Sequence, residues 1–547
     1  MRIPSVSPPA RALVPIAALV VLLGVLLAGS AGRRPVIDAA DPRIGRGGDP
    51  LIVTGRNFGV ERNGGYVEIA GVTPRSNAYL EWSDKRISVR VPREVRSGFV
   101  YVVVGGNRSN GILFANRDFL PAVLTGPADA GQPLIGSTDK SRAAVGELVV
   151  ISGKNFGLQR GTSAVLFTWL AGDPVLPGVG EPGFIAADEY DLDYESWSDT
   201  EIRVRVPDGA ATGNIVVRTG KGLSNEVFFE VSSNVGSKRH AGRRTYSVRV
   251  DSSVANIRAV RPNELYLWVP RVWQSPAQRN VRLVYREPEP LYDNVAGVTV
   301  YHFSDLVPGG VYDVTQHFIF ERYAIETVVT SQRVAEYDTA SRAYRTFTAA
   351  DPLVPADHQE VTALAERLSR GRSNPWQRAR AIYHGLLARL TYRAQGASDP
   401  ARALSEGVGN AYDFALLYTA LLRAAGVPAR PIAGYVVESP DRVHAHFWAE
   451  FYLHRFGWVP VDPALGAGAP LVGRESDLDP AEFYFGNLDN RHLSLSKGVL
   501  ATGKIDPAGR TVRRSHLGTL QLHHEEAVGG LTSYSARWNG ISILGVY

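Results

Sequence analysis

A sequence pattern that occurs twice in the first 231 residues restricts this part of the chain to a repeated β architecture. The stretch "PLIVTGRNFG" begins at Pro50 and returns at Glu147 as "ELVVISGKNFG". Further on, "EWSDKRISVRVP" begins at Glu81 and returns at Ser196 as "SWSDTEIRVRVP". Short runs of alternating apolar and polar residues are broken by Gly, Asn and Asp, which is typical of half-buried antiparallel strands. The pattern predicts two consecutive all-β modules.

These modules resemble IPT/TIG domains, which have an immunoglobulin-like sandwich fold. The resemblance rests on "G-x-N-F-G", on "W-S-D" before a strand, and on a closing "S-N" at Ser109 and Ser224. It implies one module over residues 35–116 and a second over 120–231. We expect the repeated motifs to be turn and core residues. The modules are expected to act as spacers or binding units.

An acidic stretch, "DEYDLDYE", begins at Asp188 in the second copy. It is predicted to be a solvated loop. Calcium binding is the alternative, although the stretch lacks the glycine and the terminal glutamate of an EF-hand loop.

Length and composition exclude several classes of protein. A chain of 547 residues is too long to fold around one hydrophobic core, so the length predicts several domains. The net charge of +5 is mild, and basic residues are not clustered with aromatic ones, so nucleic acid is not a predicted partner. Without cysteine there is no disulfide, thiolate metal site or cysteine nucleophile. No cofactor and no metal are predicted.

The first residues have the composition of an export signal. Arg2 and Arg11 precede an apolar run that ends in small residues near Ser30. Residues 1–31 are therefore predicted to be a signal peptide, with an uncleaved membrane anchor as the alternative. "LLAGS" also resembles a bacterial lipobox, but Ser30 takes the place of the lipid-bearing cysteine. We expect an exported protein in the periplasm, in the cell envelope or outside the cell.

Between residues 244 and 350, alternating stretches rich in Val, Tyr and Thr predict a further β-rich domain. A polar linker is predicted before it, from Ser232. Residues 506–547 are predicted to be a C-terminal extension, with His523 and His524 in a surface loop.

Two helices are predicted in the following domain, residues 355–505. The first begins at Pro375 after a capping Ser or Asn and carries an apolar stripe. The second spans Ala411 to Ala425 and ends at Gly426. Three predicted strands follow: "VPARPIAGYVV", "HAHFWAEFYL" and "GWVPVDP".

This order of motifs resembles the transglutaminase-like superfamily, whose core is a papain-type α+β fold. The family has a Cys at a helix start, a His on a later strand and an Asp on the next strand. "G-N-A-Y-D-F-A-L-L" places Ala411 in the Cys position, "H-F-W-A-E-F-Y" gives His446 as the base, and "G-W-V-P-V-D-P" gives Asp462 as the orienting residue. "YFGNLDNRH" from Tyr484 also resembles a stretch that follows the core in bacterial members.

The resemblance implies acyl transfer or hydrolysis on a peptide or protein, in which a thiolate attacks, His moves the proton and Asp orients the His. Ala411 cannot attack a carbonyl group, and neither Tyr412 nor Ser405 is a convincing substitute. The chain as written is therefore predicted to be inactive, and the alanine is either natural or introduced. Asp413, on the first helical turn, is expected to favour the helix through its charge.

Three functional hypotheses follow. The first is a non-catalytic protein of the cell envelope that binds a peptide or protein in its cleft. The second is a cysteine-dependent acyl transferase or peptidase that is disabled at Ala411. The third is a structural or adhesion protein. A metal site formed by His444, His446 and Glu450, which share a strand face, is a minor alternative.

Overall fold

The computed structural model describes residues 34–95, 98–116, 131–172, 183–295, 297–372, 374–396, 398–471, 479–514 and 517–547. The predicted export segment, residues 1–31, lies outside them. The chain divides into two compact units, residues 1–123 and 124–547. It is a multidomain, mostly β structure, as the sequence predicted. Across the described ranges, no helix has the length and apolar character needed to span a bilayer.

The first unit is a two-sheet β module. One sheet has the order β1-β3-β6-β5 and the other β2-β9-β7-β4, with β8 paired to β7. The strands and one short 3-10 helix, Ser76–Ala78, have these bounds: β1 Val36–Asp41, β2 Ile44–Gly45, β3 Pro50–Arg56, β4 Tyr66–Ile69, β5 Tyr79–Trp82, β6 Arg86–Arg90, β7 Gly98–Val104, β8 Asn107–Arg108 and β9 Ile112–Asn116. The alternating apolar residues of β3 and β4 are buried, which explains the period of two in the sequence.

The second unit begins with a module of equivalent strand order. Its sheets run β10-β12-β16-β15 and β11-β19-β17-β13-β14, with β18 paired to β17. The bounds are β10 Leu134–Thr138, β11 Arg142–Ala144, β12 Leu148–Lys154, β13 Ala164–Trp169, β14 Gly183–Ala186, β15 Tyr194–Trp197, β16 Glu201–Arg205, β17 Gly213–Thr219, β18 Gly222–Leu223 and β19 Val227–Ser232.

The repeated motifs form turns and core contacts, as predicted. Asn155 has a positive φ of 63°, which asparagine tolerates better than most residues, and the adjacent Phe156 is buried. The indole of Trp197 donates to the Phe156 carbonyl at 3.1 Å, and Asp199 accepts from the backbone N–H of Gly157 at 2.9 Å. The first module forms the same contacts through Asn57, Phe58, Gly59, Trp82 and Asp84.

The closing asparagine of each module fastens its first strand. Asn225 accepts from the N–H of Ile135 at 2.8 Å and donates to its carbonyl at 3.0 Å. Asn110 forms the same pair of bonds with Ile37. An aspartate in its place could accept but not donate, which explains why the sequence has the amide at both positions.

The β-rich domain is one large sheet around a strand of 35 residues, β20. The order is β21-β24-β20-β23-β22, and β32 pairs with both β20 and β31. The bounds are β20 Gly236–Pro270, β21 Gln278–Glu287, β22 Tyr292–Val295, β23 Val298–Ser304, β24 Tyr312–Val329, β31 Arg510–Val512 and β32 Glu525–Val546, with a 3-10 helix at Ser331–Arg333.

Two predictions about the ends of this domain are wrong. The predicted linker from Ser232 contains the start of β20, which pairs with β24 from Gly236 onward. Likewise, residues 506–547 were predicted to be an extension, but β31 and β32 within this range are strands of the sheet, and β32 pairs with β20. His523 and His524 are buried next to the start of β32 and do not form a surface loop. Polar side chains obscured these strands because each has one solvated face.

The α+β domain packs its helices on a sheet of order β29-β28-β27-β30. The strands are β25 Thr391–Tyr392, β26 Val408–Gly409, β27 Ala429–Ser439, β28 Arg442–Leu453, β29 Gly457–Val461 and β30 His492–Lys497. The helices are α1 Arg342–Thr348, α2 Gln359–Ser369, α3 Pro375–Leu387, α4 Pro400–Glu406, α5 Ala411–Ala424, α6 Pro463–Gly466 and α7 Pro480–Phe483. The predicted helices are α3 and α5, and the three predicted strands are β27, β28 and β29. Helix α5 is the most deeply buried helix of this set, with nearly all its residues in the core.

The acidic stretch of the second module docks on the α+β domain, so the prediction of a solvated loop is wrong. Asp191 is hydrogen bonded to Arg430, which also contacts Glu450 at 2.7 Å. Lys497 lies 2.5 Å from Asp188 and 2.8 Å from Asp191. Because the basic partners lie more than 200 positions away in the chain, local composition gave no sign of this pairing.

Replacing Arg430 with alanine is expected to destabilise the second unit. The guanidinium is 5% exposed and lies 3.7 Å from the ring centre of Trp458, between two carboxylates. Its removal leaves Asp191 and Glu450 buried without their partner, which typically costs about 3–5 kcal/mol. Urea unfolding followed by tryptophan fluorescence measures the shift. Arg142→Ala is the control, because this side chain is 64% exposed and pairs with an exposed Glu230, so its removal should cost less than about 1 kcal/mol. Equal effects of the two substitutions would contradict the docking.

Candidate active site

Helix α5 begins at the position where the sequence predicted a site. Asn410 is its N-cap and accepts from the backbone N–H of Asp413 at 3.2 Å, while Asp413 accepts from the N–H of Asn410 at 3.0 Å. This reciprocal capping box fixes the first turn. Asp413 therefore supports the helix through hydrogen bonds. Its burial also raises the pKa of its carboxyl group, although the backbone donors oppose that shift.

Ala411, the first residue of α5, lines a cavity of about 260 Å³. Its methyl group is 7% exposed. The wall residues come from α5 and the segment before it, from β28 and from the chain before β32: Tyr392, Ala394, Ser398, Asn410, Tyr412, Ala445, Phe447, Arg513, Arg514, Leu517 and Thr519. The capping box leaves other N–H groups of the first turn without a partner in the helix, at the end where the helix dipole is positive.

His446 and Asp462 are brought together from neighbouring strands. His446 lies on β28 between Ala445 and Phe447, whose side chains line the cavity, whereas the ring of His446 is on the other face of the strand and is not part of the lining. Its Nε2 is 2.6 Å from Oδ2 of Asp462, which directly follows β29 and is fully buried. An ionised carboxylate can only accept hydrogen bonds, so Nε2 donates and Nδ1 is the basic nitrogen of the neutral ring.

Sequence reasoning missed three further members of this network. His492, the first residue of β30, places Nε2 3.0 Å from Asp462 Oδ2 and Nδ1 2.8 Å from Asp489 Oδ1. Asp489 in turn accepts from the hydroxyl of Tyr484 at 3.1 Å. The signal that could have found them was "YFGNLDNRH", which contains all three residues. The network is a continuous chain of buried side chains.

The charged groups of this hydrogen-bond network stabilise one another. Burial alone would raise the pKa of Asp462, but its electrostatic and hydrogen-bond contacts with His446 and His492 outweigh burial and leave the pKa well below its ordinary value. Burial alone would lower the pKa of His492, but the two carboxylates raise it to about 9. Burial alone would raise the pKa of Asp489, but the contact with His492 lowers it to about 2. His492 is therefore a buried cation at neutral pH.

Within the part of the chain that the structure describes, the residues that could hold a metal ion are a different set from the predicted one. His446, Asp462 and His492 present ligand atoms within 4.8 Å of one another. The predicted partners lie elsewhere, because Glu450 is paired with Arg430 and the exposed His444 lies 3.7 Å from Glu438. In the observed set, the same nitrogen and oxygen atoms already form the hydrogen bonds of the network. A metal would have to replace those bonds and displace the proton of a cationic His492.

The hydroxyl groups near Ala411 have other contacts. Tyr412 lines the cavity, and its hydroxyl accepts from Arg513 at 3.0 Å. Ser405 is exposed on α4, where its hydroxyl donates to the Arg402 carbonyl at 2.9 Å. The arrangement can therefore orient a base and bind a polar group at the helix start, but it provides no nucleophile at position 411.

Comparison with known proteins agrees with this organisation. Residues 362–463 match the transglutaminase-like superfamily, and residues 35–119 match the IPT/TIG domain. The chain therefore contains a transglutaminase-like core and an IPT/TIG domain, which confirms the resemblances seen in the sequence. An uncharacterized protein of Haemophilus influenzae is 29% identical over 159 residues, covering 23% of this chain. The match spans 43% of the length of that relative.

Three solved structures are similar to parts of the chain. One, from Cytophaga hutchinsonii, is described as a candidate cysteine protease (14% identity, 57% of this chain and 92% of that chain, TM-score 0.38). The periplasmic domain of TgpA from Pseudomonas aeruginosa is 16% identical, and the match covers 42% of this chain and 88% of that chain, with a TM-score of 0.23. SGBP-B from a xyloglucan utilization locus in Bacteroides uniformis is 12% identical, and the match covers 54% of this chain and 100% of that chain, with a TM-score of 0.14. Scores this low are not evidence about activity or ligands.

The buried His492 cation is expected to make stability depend on pH in the alkaline range. Its folded pKa of about 9 lies above the ordinary 6.5, so its contribution is complete below pH 6.5 and is lost as pH rises through 9. The difference in unfolding free energy between the wild type and His492→Gln should therefore shrink by about 3 kcal/mol between pH 6 and pH 10. Urea unfolding at both pH values measures it. His444→Gln is the control, because His444 is exposed. If the difference in unfolding free energy between the wild type and His492→Gln stayed constant with pH, the charge assignment would be contradicted.

Proposed function

We propose that this chain is an exported, non-catalytic binding protein that holds a peptide or protein segment in its transglutaminase-like cleft. The observation that carries the proposal is the cavity at the start of α5, where the family's nucleophile position holds the methyl group of Ala411. A methyl group leaves the cavity open and cannot form a covalent intermediate. The helix start, the aromatic walls and the arginines of the cavity provide contacts for a peptide.

A disabled enzyme is the second candidate, and the intact contact between His446 and Asp462 favours it. In an enzyme of this type, a thiolate attacks the carbonyl carbon of a Gln side chain, ammonia leaves with a proton from His, and a thioester forms. Water or an amine then attacks the thioester, which releases an acid or a crosslinked product and regenerates the thiolate. Each protein group except the sulfur is present: the base, the orienting carboxylate and the helix start.

The export assignment rests on the composition of the first 31 residues, and membrane attachment through them is part of the same proposal. In the sequence, the two modules lie between those residues and the cleft. A structural or adhesion protein would use the modules without using the cavity. Binding experiments that alter only the cavity therefore separate this alternative from the proposed function.

Blocking the cavity is expected to weaken peptide binding. Ala394 lines the cavity and is exposed, so Ala394→Trp fills the space without disturbing the core. We expect at least about a tenfold loss of affinity for fluorescein-labelled decapeptides centred on Gln, measured by fluorescence anisotropy. Ala363→Trp, on the exposed side of α2, is the control and should bind like the wild type. Equal affinity of all three proteins, or binding of no peptide, would overturn the proposed function.

Ala411→Cys is expected to create a reactive thiol. The introduced thiol is the chain's only one, so its alkylation by iodoacetamide reports on this position alone. His446 and the helix start should favour the thiolate, and His446→Ala in the same background should slow alkylation near pH 6. A missing nucleophile costs on the order of a millionfold in rate, so even partial rescue should appear as ammonia release from Gln peptides.

The outcomes of this substitution separate the two candidates. Ammonia release that depends on both the introduced thiol and His446 would establish a disabled enzyme. A reactive thiol without turnover over the peptide panel would support a cleft that only binds. A thiol that alkylates at the same rate with and without His446 would contradict the assignment of His446 as a base.

A further inference from the structure

The wall of the cavity opposite α5 comes from the C-terminal part of the chain. Four of the residues that line it lie between β31 and β32: Arg513, Arg514, Leu517 and Thr519. This segment is held by β32, which pairs with β20 along most of its length. The cavity is therefore completed about 100 residues after Ala411 in the sequence, by a segment of the β-rich domain's sheet.

The two arginines of this wall differ in how their charge is compensated. Arg514 forms a bidentate contact with Glu525, from Nε to Oε1 at 2.7 Å and from Nη2 to Oε2 at 2.9 Å. Glu525 is fully buried and also accepts from the indole of Trp538 at 2.7 Å. The carboxylate neutralises Arg514 and fixes its guanidinium. Arg514 is thus a rigid part of the wall.

Arg513 contributes the uncompensated charge. Its Nη2 donates to the hydroxyl of Tyr412 at 3.0 Å, which orients the guanidinium toward the residue beside Ala411. Within the described ranges, no carboxylate forms an ion pair with Arg513, and no Asp or Glu lines the cavity. The helix start adds positive partial charge on the opposite wall. A cavity lined in this way attracts negative charge and repels positive charge.

We propose that the cavity selects acidic peptides, in which an Asp or Glu close to the bound residue pairs with Arg513. This rests on the proposed function and names its ligand class. Arg513 has free donors left after its contact with Tyr412, and a guanidinium presents them in a fork that matches a carboxylate. The cavity volume of about 260 Å³ suits one or two side chains of an extended peptide. A basic residue at the same point would meet Arg513 and the helix start unfavourably.

The test compares three decapeptides that share a central Gln and differ only in flanking Glu, Ser or Lys residues. Fluorescence anisotropy with the full chain measures their affinities at low and moderate salt. We expect the Glu peptide to bind about tenfold more tightly than the Ser peptide at low salt, the Lys peptide to bind more weakly, and the difference to shrink as salt screens the charges.

Arg513→Gln should remove the preference, so that the Glu and Ser peptides bind this variant with equal affinity. Arg513→Lys keeps the charge but loses the fork, so part of the preference should remain. Arg370→Gln removes one charge from an exposed position at the end of α2 and should behave like the wild type. Circular dichroism and thermal melting confirm that all variants are folded.

Two outcomes would overturn the proposal: equal affinities for the three peptides, or an unchanged preference in Arg513→Gln. In either case the binding function itself stands if Ala394→Trp still weakens the Ser peptide. If none of the peptides binds, both proposals fail. Because these experiments use the chain with Ala411, their result does not depend on any chemistry at that position.

Discussion

The buried carboxylate of Asp462 is the constraint on which the α+β domain depends. It accepts hydrogen bonds from His446 on β28, from His492 on β30 and from the backbone N–H of Leu465 in α6. An ionised carboxylate without solvent contact is unfavourable unless such donors surround it. Here the donors come from two strands and one helix, so the carboxylate fixes the relative positions of these three elements. The geometry of the site and the packing of the domain are consequences of one charge.

The cavity depends on contacts between distant parts of the chain. Ala411 belongs to α5, while Arg513 and Arg514 arrive on a segment held by the C-terminal strand β32. The docking of Asp191 on Arg430 adds the second module to the same unit. A core excised at its family boundaries would lack the wall that carries both arginines. The β-rich domain therefore contributes directly to the site.

The sequence predicted the parts of this structure that local physics determines. The cap at Asn374, the strands of the core and the motif turns depend on neighbouring residues, and all formed as expected. His492 was missed because its role depends on the pairing of β30 with β27, which no local pattern specifies. The acidic stretch at Asp188 was misjudged for the same reason, since its basic partners are remote in sequence. The contact of His446 with Asp462 was anticipated only because three ordered motifs resembled a family.

The surviving pair of His446 and Asp462 has a structural reason to exist that is independent of catalysis. Once Asp462 is buried, removing either histidine leaves it with fewer donors, at a cost of several kcal/mol. Loss of a nucleophile at position 411 carries no such penalty, because a methyl group fits the helix start. Stability alone would thus retain the histidines and the aspartate in a chain that has lost its chemistry. Arg513 is different, since within the described residues its charge compensates no buried carboxylate and its contact is a single tyrosine hydroxyl. Arg513 is exposed, so the fold requires no partner for its charge, and a ligand that enters the cavity can reach its guanidinium.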